Sequence, residues 1–126
     1  MLKITYLENG IYLEHLPESV EVWKTTRVLV SLRAAASIHT ESVIASLVFP
    51  AYTPYLTGLV ELAEKHFIEV IPCDEESIEV SLSGTWVAQS KDSEKGIFVC
   101  ELDRSSEHLL YQLWQESQIG TSVMSE

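Results

Sequence analysis

The sequence predicts an α+β fold, mainly antiparallel β, with about seven strands and two helices. Three observations carry that prediction. Short runs rich in Val, Ile, Thr and aromatic residues recur along the chain, separated by Asn-Gly, Pro and Ser-containing breaks that punctuate hairpin-linked strands. Only two segments, near 54–66 and 105–117, set apolar residues at helical spacing on a polar background. Two helices are too few for a series of βαβ units, so the strands are expected to pair antiparallel in a bent sheet or a partly open barrel.

The elements follow in order. Residues 2–7 and 11–16 flank Asn9-Gly10, and both positions of that turn favour positive φ, so they form a first hairpin. Pro17-Glu18-Ser19 breaks the chain. The segment VEVWKTTRVLVSLRAAAS, from Val20 to Ser37, is rich in β-branched residues, which suit strands. It is expected as a strand over 28–36, extended back to about 20. A helix starting at Ser19 is the rival for 20–27 and would put Trp23 and Arg27 on one face. Residues 38–41 then turn into a strand at 43–49, giving a second hairpin.

Ser42 to Val60 carries no charge. A bilayer-spanning helix needs about 20 apolar residues in one helix, and Pro50 and Pro54 interrupt this run. It therefore divides into a buried strand ending at Pro50, a connector, and a helix with Thr53 as N-cap and Pro54 at its first position. Residues 67–72 form a strand, Asp74-Glu75-Glu76 a solvated turn, and 78–88 a half-buried strand. Ile78, Val80, Leu82, Gly84, Trp86 and Ala88 share one face of that strand, and Gly84 is a candidate bulge. After a polar loop at 90–96, residues 97–102 form a central strand. Asp103 or Ser105 caps the last helix, whose stripe is Leu109, Leu110, Leu113 and Trp114. Residues 1–118 form one globular domain, and 119–126 a disordered tail.

Composition narrows the function. Of the 126 residues 46% are hydrophobic, enough for a packed core. A net charge of −11 repels phosphate backbones and anionic lipid, which disfavours nucleic acid and membranes and favours a basic partner if one exists. Cys73 and Cys100 are too few for a disulfide framework, and residues 1–10 lack the apolar core of a signal peptide, which reads as a cytoplasmic protein.

No assembled chemistry stands out. The four histidines, at 15, 39, 66 and 108, have no metal-ligand spacing. No glycine-rich phosphate loop or GxSxG elbow is present, and no cofactor is implied. Glu79 and Glu101 could approach each other as paired carboxylates, against a reading as solvent-facing strand residues. Cys73 precedes three acids, which blunts a thiol. Arg27 and Arg33 share a face if their segment is a strand; they read first as members of an ion pair that specifies the fold, next as simply exposed, and last, with Trp23, as the candidate ligand wall. Tyr52 and Tyr55 in the uncharged connector are the candidate interface residues.

Trp23, RVLVSLR at 27–33, ASLVFP at 45–50, SLSGTWVAQS at 81–90 and LLYQLWQESQ at 109–118 resemble a small family of uncharacterised cyanobacterial proteins. The likeness spans nearly the whole chain and is one of texture rather than chemical signature. It implies a single-domain bacterial cytosolic protein and carries over no functional residue. The expectation from the residues is a non-enzymatic protein-interaction or regulatory module that self-associates as a homodimer. The alternatives are a small-ligand carrier using Arg27, Arg33 and Trp23, and an enzyme using Glu79, Glu101 or Cys73.

Overall fold

The computed structural model describes residues 1–8, 10–50, 58, 61, 68–117 and 121–125. The strands are β1 (Leu2–Leu7), β2 (Gly10–His15), β3 (His39–Pro50), β4 (Ile68–Pro72), β5 (Ser77–Ala88), β6 (Gly96–Cys100) and β7 (Thr121–Ser125), and the helices are α1 (Val20–Arg33) and α2 (Arg104–Ser117). All strand pairings are antiparallel, and the fold is α+β. The sheet runs β2-β1-β6-β5-β3-β7 and is open, with β4 also on β5.

β1 and β2 form the expected hairpin, in register from Leu2–His15 to Leu7–Gly10. Gly10, at φ 137°, takes a backbone conformation that a side chain would disfavour. Asn9, the other half of the predicted turn, lies outside the described residues. β5 organises the rest. β3 lies along its whole length, from Pro50–Ser77 to His39–Ala88. Its other edge is shared: β4 takes Ile78–Leu82, and β6 takes Thr85–Val87. The hand-over falls at Ser83 and Gly84.

Alternation along the strands builds two cores. Val43, Ala45, Leu47 and Phe49 of β3 meet Ile78, Val80, Leu82 and Trp86 of β5, with Phe98 and Cys100 of β6, under Leu110, Leu113 and Trp114 of α2. The opposite side of the sheet at β6 carries Val99 and Val87, which pack with Met1 and Trp23 under α1. The two helices therefore cover opposite faces.

The strand expected over 20–36 is instead helical to Arg33, and the second hairpin does not form. Ser19 caps α1, its hydroxyl accepting the Val22 N–H at 3.2 Å. At the other end, the Ala36 N–H bonds Ser31 O and the Ala35 N–H bonds Leu32 O, with Ala35 in the left-handed region at φ 52°. This is a Schellman stop with alanine where glycine is usual. The β-branched residues each cost a helix only about 0.5 kcal/mol, and anchoring Trp23 with a cap at each end outweighs them. Residues 121–125, expected as part of a disordered tail, pair with Val43–Leu47 of β3. Of the helix expected over 54–66 only Gly58 and Glu61 are described, and both are helical.

Candidate functional site

The first turn of α2 starts from Asp103, whose carboxylate accepts the Ser106 N–H at 2.7 Å and whose carbonyl accepts that of Glu107 at 3.1 Å. Leu110 and Trp114 hold the apolar face against the sheet. Glu107 precedes them by three and seven residues, so the helix carries its carboxylate inward, where the residue is only 2% exposed. A buried carboxylate must be paired. Oε1 lies 3.1 Å from the Met1 ammonium and Oε2 lies 2.7 Å from His15 Nδ1. The His15 approach is close but not aligned as a hydrogen bond, so the attraction is ionic when the imidazole is protonated. The ammonium also donates to Leu16 O at 2.6 Å and Glu18 O at 3.2 Å. Next to this cluster, Cys100 is inert: burial pushes its thiol up to about 12, the Glu107 charge adds to the rise, and the Met1 ammonium opposes it.

Two hollows open beside Glu107 and share His15 and Arg104. One, of about 580 Å³, is also lined by Leu16, Pro17, Leu102 and Glu107. The other, of about 760 Å³, adds Asp103, Ser105 and His108. Arg104 is the first residue of α2, where the helix dipole makes a cation unfavourable by roughly 0.3–1 kcal/mol. It has no acidic partner among the described residues. Lys3, Lys24 and Lys95 do, in Glu14, Glu21 and Glu8, at 3.4, 3.7 and 2.7 Å. The two acids at the hollows are already engaged: Glu107 by the ammonium and His15, Asp103 by the Ser106 N–H and by the Ser105 hydroxyl at 3.3 Å. What faces a ligand there is a guanidinium and two imidazoles. Among the described residues, no group of three or more His, Cys, Asp or Glu could hold a metal.

A second feature is the outer face of α1. Trp23 is its only buried residue. Val22, Leu29 and Leu32 are 57%, 50% and 69% exposed, with Val28 beside them. Thr25 completes a 22-25-29-32 row, the three-then-four spacing of a seam between two helices. α1 carries one acid, Glu21, and three bases, Lys24, Arg27 and Arg33, in a chain of net charge −11.

The residues singled out from sequence are only partly brought together. Arg27 lies over Trp23, 5.0 Å from guanidinium carbon to ring centroid. It also lines a cleft of about 450 Å³ beneath the end of α1, with Lys95, Ile38 and Val87. Arg33 does not share that face: six residues on a helix turn it well away, and it sits in the last turn, where a cation suits the dipole. Trp23 is buried, packed with Met1, Val87 and Val99. Glu79 and Glu101 are occupied separately. Glu79 accepts from Ser46 Oγ at 2.9 Å, and Glu101 from the Val20 N–H at 2.8 Å, adding a second cap to α1. The Cys73 thiol is exposed, and its pKa is raised by desolvation and by the Glu79 and Asp74 charges. Cys73, just past the end of β4, and Cys100, the last residue of β6, are free thiols, and those two strands lie end to end along β5. Tyr52 and Tyr55 lie outside the described residues. No described helix is long and apolar enough to cross a membrane.

Comparison with known proteins gives one result. The model of the Alr0857-like family matches residues 1–118, every element but β7. No curated protein and no solved structure matches. The chain belongs to the Alr0857-like family.

Proposed function

We propose that this Alr0857-like chain is a non-enzymatic, cytoplasmic interaction module that self-associates, and that the outer face of α1 is where a second copy docks. The observation that carries the reading is the exposed row Val22, Leu29 and Leu32 on a helix held to the sheet by a single buried side chain. A monomer leaves these side chains in water, and covering them is favourable by roughly 25 cal/mol per Å² of apolar surface. Charge does not drive the pairing: two bodies of −11 repel, and a two-fold pair sets the bases of one α1 beside those of the other, so the apolar row carries the association. An antiparallel pair about a two-fold axis sets Val22 against Leu32 and Thr25 against Leu29 of the partner, which closes the assembly as a dimer.

The test is sedimentation equilibrium of the full chain at high micromolar concentration, beside the double variant Leu29→Glu, Leu32→Glu. The wild type is expected at dimer mass and the variant at monomer mass with the same far-UV circular dichroism. Raising salt should tighten the dimer, because it screens repulsion between like-charged bodies. A wild type that stays monomeric, or a variant that still dimerises, would overturn the reading.

A further inference from the structure

We propose that the two hollows that share His15 and Arg104 form a binding site for a small oxyanion, phosphate or carboxylate. This goes beyond self-association and uses a different part of the molecule: α1 caps one face of the sheet, and the hollows sit where the end of β2 meets the start of α2.

The argument starts from what Arg104 does not do. It opens a helix at the end that disfavours a cation. It makes no ion pair among the described residues and lies exposed, so neither packing nor pairing accounts for it. It is, however, a wall of both hollows. A guanidinium offers a planar fork of donors that matches the two oxygens of a carboxylate or phosphate. His15 lines both cavities with it, and His108 lines the larger one.

His15 is held for this role. Its Nδ1 is 2.7 Å from the buried Glu107 carboxylate, so Nε2 is the nitrogen directed away from that carboxylate and available to a ligand. Glu107 is the one carboxylate that could repel an anion from the smaller hollow, and the Met1 ammonium at 3.1 Å offsets its charge. Asp103, at the larger hollow, spends its carboxylate on the Ser106 N–H and the Ser105 hydroxyl. The exposed donors therefore outnumber the unengaged acceptors. On a chain of net charge −11, Arg104 and the two imidazoles give these hollows a set of donors suited to an anion. Both volumes fall in the range of small-molecule sites, roughly 300–1,000 Å³.

The test follows the imidazole signals of the full-length protein by NMR at mildly acidic pH. Sodium phosphate and sodium acetate are titrated separately against a sodium chloride control of equal ionic strength. Saturable shifts at His15 and His108, absent with chloride, are expected with at least one of the two oxyanions, and comparing the two arms identifies which. Arg104→Ala should weaken that binding at least tenfold, Arg104→Lys less, and Arg33→Ala not at all. Because Arg104 is unpaired at a helix start, the alanine variant should fold at least as well as the wild type, so loss of binding will not be loss of structure. Non-saturating shifts, shifts equal to those with chloride, or unchanged affinity in Arg104→Ala would overturn the proposal.

Discussion

Gly84→Ala is a test of how β5 serves two neighbours on one edge. Gly84 sits where that edge passes from β4 to β6. A Cβ on it would lie 2.4 Å from Val99 O and 2.5 and 2.7 Å from Cζ and Cε2 of the Phe98 ring. Ordinary carbon contacts are about 3.5–4.0 Å, so ring and backbone must each retreat by roughly 1 Å. Neither can do so cheaply. Phe98 is fully buried in the main core, and Val99 belongs to a β5–β6 ladder of only three pairs. Overpacking of this kind costs typically 1–3 kcal/mol. With both a ring and a carbonyl in the way, the upper end applies, about 3 kcal/mol, or roughly a 10 °C fall in Tm for a domain this size. Urea unfolding followed by tryptophan fluorescence measures it, with the slope of the transition unchanged. Adding Phe98→Leu should recover part of the loss, since it removes the ring but not the carbonyl, and the double-mutant cycle should show positive coupling. A loss below about 0.5 kcal/mol in Gly84→Ala would mean the two strands are not in this register, because such small effects are typical of unconstrained surface sites.

Other consequences are equally direct. Ala35→Gly relieves a left-handed alanine at the stop of α1 and should stabilise the protein by about 0.5–1 kcal/mol, read as a shift in urea midpoint. Glu107→Gln leaves a buried ammonium without its counter-ion and should cost about 3–5 kcal/mol by the same assay. Iodoacetamide at pH 8 should label exposed Cys73 slowly, because its pKa is raised, and should reach Cys100, with a thiol near 12, only on unfolding. Mass spectrometry of timed samples distinguishes the two. Asp74 is held below its ordinary carboxylate range by the Glu76 N–H and by the Ser77 hydroxyl and N–H. Its folded pKa is therefore below its unfolded value. Its contribution to stability is present above the unfolded pKa and is lost as pH falls through the folded one. The stability gap between wild type and Asp74→Asn should accordingly close in acid.

Local chemistry made much of the fold legible. Asn9-Gly10 marked the first hairpin, the alternation of 78–88 gave the core face of β5, and the apolar stripe of 109–114 gave α2. Asp103, one of two candidate caps, accepts the Ser106 N–H. The segment at 20–36 misled because β-branched residues speak for strands while what decides is partly distant. Glu101 caps α1 from 81 residues away, and no window of sequence contains that bond. β7 was hidden for a similar reason, since five small or polar-interspersed residues carry no pattern of their own and gain one only beside β3. The Glu107 cluster was missed because its partners, Met1 and His15, come from the opposite end of the chain. One signal was available: Glu107 falls on the same helical stripe as Leu110 and Trp114, and an acid on an apolar stripe needs a buried cation.

That cation also links the hollow to the sheet. Met1 extends the β1–β2 ladder, exchanging both backbone bonds with Leu16 at 2.6 and 2.9 Å. Its ammonium thus reaches Glu107 only while β1 keeps its register against β2 and β6. Leu2 lies opposite both His15 and Cys100. A one-residue slip of β1 would turn Leu2 and Ile4 to the other face and carry the ammonium away from Glu107 in the same step. Breaking the ion pair and breaking the register are therefore one event. Glu107→Gln should accordingly speed hydrogen exchange at β1 amides before those of the β3–β5 ladder, which has twelve pairs and supplies neither ion-pair partner of Glu107. Equal acceleration across both ladders would show that the cluster stabilises the domain as a whole rather than pinning its first strand.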